Sequence, residues 1–511
     1  MVSEMLFGFA FRFLVSLVEA APFLLAGLMT AAVLRRFFGL EGTRSLFGEG
    51  TRWGLLRAWL IGMLLPVCSL GVIPVIYELR RAGVRGGTIL AFAMSGPLFN
   101  PLSLLYGLTL SEPVAIVSFA MCSLLIVTVA GVVWDWWFPG TSCELVNEEG
   151  YGAGSRRMLA VAIAAARESV GRSLCWVGLG LFGVGLAGAF LPPNSLQHTF
   201  NHDNAWAPFW MTGLAIPVYA TPMLAMTQLG MMFQHANSIG AAFVLLILGA
   251  GMNLGVMGWT ISEYGWRRGV SWMLLVTGIS LTLAVLVDKP LFPKDIEPAD
   301  HTHAFDIYCR PFSGEADVFL SFRRRLERDI APWQWRPLGL LGLMVIAGMT
   351  LNLADRRGRL ELWLRRPQAA AGPGPYDIEI PGRILGLISL AGLLVMSLAG
   401  CYAWYPAPAD CLEAMTDARI GALSAALALD HSETKYWSER YDDWTRKMEV
   451  GAWLRQGSLS EYHRWKSRLV REQLEMLEHE VDDGDRERVQ KRVTQISTLH
   501  RRMSEAYREE L

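Results

Sequence analysis

Lysine is missing from this 511-residue chain until Lys289, and the stretch from Asn204 to Ser262 holds no Asp, Glu, Lys or Arg at all. An uncharged stretch of that length excludes a solvated surface and is long enough for two apolar spans of ~20 residues each. A formal net charge of -1 removes the electrostatic basis for a nucleic-acid partner. The seven cysteines show no CxxC spacing, which excludes the usual zinc and disulfide frameworks. Cys401 and Cys411 are left to pair in an extracytoplasmic setting or to stand as free thiols. No HExxH, no GxSxG and no Asp pair within the apolar runs is present, so an intramembrane enzyme has no catalytic group to start from. A phosphate-binding GxxxxGK[ST] loop is also missing, which excludes nucleotide hydrolysis within this chain. We therefore expect a protein that is not an enzyme and holds no cofactor or metal. The N-terminal stretch lacks a basic leader and a cleavage site, and it reads as a retained first span.

What is there in quantity is apolar sequence, with 52% hydrophobic residues and 19 tryptophans. Apolar runs and their breaks give about ten spans: 5–34, 54–77, 87–110, 113–137, 168–191, 206–228, 238–261 and 269–288, then 337–353 and 383–405. Tryptophans mark the ends of these runs, among them Trp134, Trp136, Trp137, Trp206, Trp210, Trp259, Trp266, Trp272, Trp333, Trp335 and Trp404. Indole rings prefer the headgroup layer. The expected fold class is all-α, a polytopic protein of the cytoplasmic (inner) membrane whose first partner is the lipid bilayer. Arginines do not orient it, because Arg35, Arg36, Arg44 and Arg52 precede the second span while Arg80, Arg81 and Arg85 follow it.

The second span contains Pro66-Val-Cys68-Ser69-Leu-Gly71-Val-Ile-Pro74. Two prolines in nine residues break a helix, since proline removes a donor and clashes with the preceding turn. In hydrocarbon the freed backbone groups need protein or a water-filled cavity around them. The expectation is a polar hollow. A related pattern returns later, with Ile216-Pro217-Val-Tyr219 and Pro222 echoing Leu65-Pro66-Val-Cys68 and Pro74, Asn253 echoing Asn100, and Glu168 echoing Glu19. Two interrupted helices in repeated halves are the mark of secondary transporters, with the solute near the midplane. Boundaries follow: residues 1–138 as the first half, 139–167 as a polar linker, and 168–289 as the second half. Residues 290–336 read as a water-facing loop, and 337–405 as two more spans around a polar linker at 354–382. Residues 406–511 form a charged tail, a helical bundle or hairpin with helices near 411–429, 434–456, 459–481 and 485–508.

Candidate solute-pathway residues are thus Pro66, Cys68, Ser69, Gly71, Pro74, Pro97, Asn100, Pro101, Pro217, Tyr219, Pro222 and Asn253. Cys68 offers a soft ligand or a small space-filling group. Asn100 offers an amide that contacts solute or satisfies the carbonyls released by Pro97 and Pro101. Glu19 is the costliest residue of the first span, a proton carrier or an ion-pair partner of Arg12. His301, His303 and Cys309 lie in one loop but match no metal spacing.

From Leu64 to Pro101 the chain, with its Pro-x-Cys-Ser core, Gly83 and the closing Pro97-Leu-Phe-Asn100-Pro101, resembles the predicted permeases that include the organoarsenical efflux permeases. The resemblance covers roughly residues 1–289 and implies a multi-pass permease, with efflux as one direction, that moves an unidentified small solute. Where that family commonly has Cys-Ser-Cys-Gly, this chain has Cys68-Ser69-Leu70-Gly71, and loss of the second thiol weakens a soft, arsenic-like substrate. The alternative is a membrane sensor or scaffold whose tail docks a protein partner or a second copy.

Overall fold

The computed structural model describes residues 2–48, 53–110, 112–140, 155–193, 195–293, 302–312, 317–365 and 382–509. Two compact units are present, one of Met1–Leu104 with Ser111–Leu394, the other of Leu105–Leu110 with Val395–Leu511. Every regular element described is a helix.

The first unit opens with α1 (Val2–Val33), which runs through a π turn at Leu34–Phe38 into α2 (Gly39–Leu46). Then come α3 (Gly54–Leu64), α4 (Val72–Arg81), α5 (Gly86–Ser95), α6 (Pro101–Leu110) and α7 (Pro113–Trp137). After α8 (Ser155–Glu168) and α9 (Ser173–Phe190), the order repeats as α10 (Ala207–Ala215), α11 (Pro222–Gln234), α12 (Ile239–Val244, prolonged by a π turn at Leu245–Ala250), α13 (Leu254–Tyr264) and α14 (Trp266–Asp288). Beyond it lie α15 (Val318–Asp329), α16 (Trp335–Ala354), α17 (Arg359–Arg365) and α18 (Gly382–Trp404).

Among the described residues five helices are long and apolar enough to cross a membrane: Val2–Leu46, Pro113–Trp137, Ser173–Phe190, Trp266–Asp288 and Pro332–Ala354. The pair Ile239–Ala250 and Leu254–Tyr264, bent by 56°, would make a sixth. The count of ten is not reached, because the runs at 54–77, 87–110, 206–228 and 238–261 are each split into two short helices, and the run at 383–405 contributes only the shorter apolar helix Ala391–Trp404. Each half therefore has two interrupted helices, not one. Prolines begin the second arms of three of them, as Pro74 in the first turn of α4, Pro101 opening α6 and Pro222 opening α11. At a helix start proline sacrifices only a donor that has no partner in any case.

The two halves repeat at a constant separation of 153 residues, seen in their hydrogen bonds. Gly87 N donates to Asp135 Oδ1 at 2.9 Å, and Gly240 N donates to Asp288 Oδ1 at 2.6 Å, both pairs 48 residues apart. The turn before α5 takes the left-handed region at Gly83 (φ 74°), and the turn before α12 does so at Ala236 (φ 47°). Leu65 N bonds Ile61 O just as Val218 N bonds Leu214 O. This register corrects the sequence-based one. Cys68 matches Thr221, Ser69 matches Pro222 and Pro66 matches Tyr219, while Glu168 closes α8 and has no equivalence to Glu19 within α1.

Contacts fix which helix ends lie together. At one end Arg35 meets Glu78 (3.5 Å), Arg36 meets Glu361 (2.7 Å), Arg80 meets Glu263 (2.9 Å), and Arg167 meets Asp355 (2.8 Å). At the other, Glu4 meets Arg310 (3.8 Å), Ser238 N donates to Phe200 O and Thr302 N to Gln197 O. Gly54 lies beside Phe47 and Thr88, and Arg81 beside Leu34 and Thr43, so the α3–α4 pair starts and finishes at the arginine-rich end. The α10–α11 pair does the same from the opposite end, where Pro208 packs on Gly240 and His235 meets Thr302. The halves are thus inverted copies. Arg35, Arg36 and Arg44 share an end with Arg80, Arg81 and Arg85, which removes the conflict in their sequence order. Three tryptophans expected to mark the headgroup layer, Trp134, Trp259 and Trp272, are packed against neighbouring helices.

The second unit takes in the later parts of α6 and α18 together with α19 (Pro408–Leu427), α20 (His431–Gln456), α21 (Glu461–Asp482) and α22 (Arg486–Glu509), the last four close to the expected helices. Apolar positions at helical spacing form one core with Tyr441, Met448, Val470, Leu477, Ile496 and Met503. Asp430 and Ser460 cap α20 and α21, and Gly457, left-handed at φ 75°, stops α20. Cys401 and Cys411 are free, buried thiols.

Two outcomes test this packing. Replacing Ala236 by Gly relieves a left-handed alanine and should stabilise by up to about 1 kcal/mol, whereas Gly83→Ala should cost about the same, read by thermal unfolding in detergent. Burial, with help from Arg419 and Arg508, lowers His500 from 6.5 to about 4, and Tyr441 Oη lies 2.6 Å from its Nδ1. A depressed folded value means that the unfolded chain binds the extra proton between those limits. Stability should be complete above pH 6.5 and fall by roughly 2 kcal/mol by pH 4, with His500→Gln flattening the profile.

Candidate solute pathway at the helix breaks

A broken helix exposes the first amides of its second arm, and those donors need acceptors. Four side chains supply them at the same spacing. Cys68 Sγ accepts from Gly71 N at 3.4 Å, Asn100 Oδ1 from Ser103 N at 2.7 Å, Thr221 Oγ1 from Leu224 N at 3.2 Å and Asn253 Oδ1 from Val256 N at 2.9 Å. Thr221 was missed in the sequence, although a threonine directly before a proline is a helix-start signal.

The breaks of the two halves touch. Asn253 Nδ2 donates to Ser69 Oγ at 2.8 Å across 184 residues of sequence. Gly251 lies against Leu98 and the Met94 carbonyl, and Cys68 faces the Tyr219 hydroxyl. Close approach is bought by glycine at two places: a Cβ on Gly27 would sit 1.9 Å from the Gly71 carbonyl oxygen, and one on Gly183 2.0 Å from that of Pro217. Leu70 packs on Gly180, so an isobutyl group fills the place of the resembled family's second thiol. Cys68, Ser69 and Asn253 have no exposed surface and Asn100 retains 1%. The hollow expected at Cys68 and Ser69 is therefore filled in this conformation. Glu19, Pro66 and Pro217 keep part of their surface.

Residues 302–312, expected in a water-facing loop, are also packed inside, with Phe305, Tyr308 and Phe312 fully buried. They form a strap. Arg12 donates to the carbonyls of Asp306 (3.1 Å) and Cys309 (3.0 Å), while Gln228 donates to Ala304 O (3.0 Å) and accepts from Tyr308 Oη (3.1 Å). Arg12 belongs to the first half and Gln228 to the second, so one strap holds both. Gln228 had a sequence signal, an amide within an uncharged stretch, where a buried polar group must find a partner. Glu19 lies within electrostatic reach of Arg12, Tyr308 and Tyr219. His303 pairs with Asp306 at 2.8 Å, His301 lies outside the described residues, and among the described residues no cluster suited to a metal occurs.

Inverted, interrupted helices whose breaks meet inside the bundle define the class, a permease-type membrane protein. The comparisons agree. A family model described as a predicted permease, ArsP_1, matches residues 7–289, and the chain belongs to that family. The UPF0718 protein YcgR of Bacillus subtilis (strain 168) is 30% identical over 92 residues, covering 18% of this chain and 31% of the relative. The chain thus spans about a third of the length of that relative. No solved structure matches.

The contact between the breaks makes a direct prediction. Ser69→Ala leaves the Asn253 amide buried without its acceptor and should cost about 1–3 kcal/mol in thermal unfolding. In an Asn253→Ala background the same change should cost much less, the two sites being coupled.

Proposed function

We propose that this protein moves a small solute across the cytoplasmic membrane by exposing the region of its four breaks alternately to either side. The observation that carries this reading is the bond between Ser69 and Asn253, which joins interrupted helices of inverted halves where such transporters bind their solute. On this reading α1, α5–α6, α7, α9, α12–α13, α14, α16 and α18 cross, while α3–α4 and α10–α11 enter and return, which gives the ten membrane elements. The arginine-rich end faces the cytoplasm by the positive-inside rule, and the strap faces outward. Outward movement is the direction that the likeness to efflux permeases implies.

The packed breaks then belong to an occluded conformation. Solute passes along Pro66, Cys68, Ser69, Gly71 and Pro74, along Pro97, Asn100 and Pro101, and along Pro217, Tyr219, Pro222 and Asn253. Glu19, partly exposed and beside Tyr219 and Tyr308, couples passage to protons.

Purified protein in vesicles should move solute from a panel of small uncharged and metalloid compounds, and substitution of Pro66, Cys68 or Asn100 should reduce flux at least tenfold. Glu19→Gln should leave downhill flux measurable while abolishing its response to a pH gradient. Flux through wild-type vesicles no faster than through empty ones would refute the reading.

A further inference from the structure

Two asparagines hold equivalent places in the repeat, yet they do different things. Each uses its carbonyl to cap the arm that follows, Asn253 for Val256 and Asn100 for Ser103. Their amide groups then diverge. Asn253 Nδ2 donates to Ser69, whereas Asn100 Nδ2 is buried and has no acceptor. The register explains the difference. Under the inverted repeat the contact of Ser69 with Asn253 corresponds to one of Pro222 with Asn100, and proline has no hydroxyl. In the same break the Tyr219 hydroxyl is also buried, with the Cys68 thiol as its facing group. A buried donor left without an acceptor, where its repeat counterpart is bonded, is a cost that a fold built only for stability avoids.

We propose that the Asn100 amide, with the Tyr219 hydroxyl, is the donor set that receives the solute, and that Ser69–Asn253 is the same position closed by the protein's own hydroxyl. This rests on the transport reading. Residues 65–71, 96–100, 216–221 and 251–253 contain no Asp, Glu, Lys, Arg or His, and Glu19, the carboxylate in electrostatic reach of Tyr219, is offset by Arg12. The solute class is therefore small and uncharged, with an oxygen or similar atom that accepts hydrogen bonds. A charged solute would have to shed its water against neutral groups.

The test uses full-length protein in lipid nanodiscs, with the six cysteines other than Cys68 changed to serine. Its probe is methyl methanethiosulfonate, which is small and uncharged and carries sulfonyl oxygens that accept hydrogen bonds. The Cys68 thiolate attacks its sulfenyl sulfur, a disulfide to the methylthio group forms, and methanesulfinate leaves. Pro222→Ser supplies the missing hydroxyl. It should raise the unfolding midpoint by a few degrees, lose that gain in an Asn100→Ala background, and slow labelling of Cys68 at least tenfold. Tyr219→Phe, which removes only a hydroxyl, should also slow labelling, and the cationic trimethylammonium analogue should react far more slowly than the neutral probe. Equal effects of Pro222→Ser with and without Asn100 would overturn the placement. Labelling unchanged in both Pro222→Ser and Tyr219→Phe, or equally fast with the cationic reagent, would overturn the proposed donor set. None of these readings depends on flux, so failure of transport and failure of this assignment are separable.

Discussion

Backbone amides freed inside an apolar bundle have to be satisfied by protein, and that requirement shapes the whole first unit. A continuous helix meets it by its own geometry, but a broken one does not. Each break in this chain carries its own acceptor, a thiol, a hydroxyl or an amide carbonyl placed three residues ahead of the donor it serves. Cys68, Asn100, Thr221 and Asn253 are structural before they are anything else. On the proposed transport reading, only the chemistry left over after capping is free for a solute.

That surplus is unequal between the halves. Duplication at a fixed spacing preserved the caps, the carboxylates at Asp135 and Asp288, and even the left-handed turn, where alanine stands in the second copy. It did not preserve Ser69, whose counterpart is Pro222, or Pro66, whose counterpart is Tyr219. A transporter made of two identical halves would favour neither side. Here the strap at 302–312 ties Arg12 to Gln228, so the two ends of the bundle are held by different bonds.

Helical class, the tail's four helices and the positions of the breaks were legible in the sequence because proline and apolar periodicity act locally. The register of the repeat was not. Pro66 and Pro217 share a residue type but not a place, and what aligns the halves is side-chain capping, which no short motif displays. The splitting of apolar runs was hidden for a related reason, since a run of suitable length does not reveal that α3 and α4 are separate helices with both outer ends at the arginine-rich end. Burial of 302–312 was illegible too. Its polar, proline-punctuated composition suits a surface, and only the partners at Arg12 and Gln228 make it an inside segment. Trp134, Trp259 and Trp272 show the same limit, being aromatic residues near helix ends that pack inward.

The decisive measurement is the side from which single cysteines react with a membrane-impermeant maleimide in sealed, oriented vesicles, placed at exposed Ser45, Arg85 and Trp206. If α3–α4 enters and returns, positions 45 and 85 will react from the same face and position 206 from the other. Reaction of 45 and 85 from opposite faces would mean that α3–α4 crosses the bilayer, and the inverted pairing of the halves would fail with it.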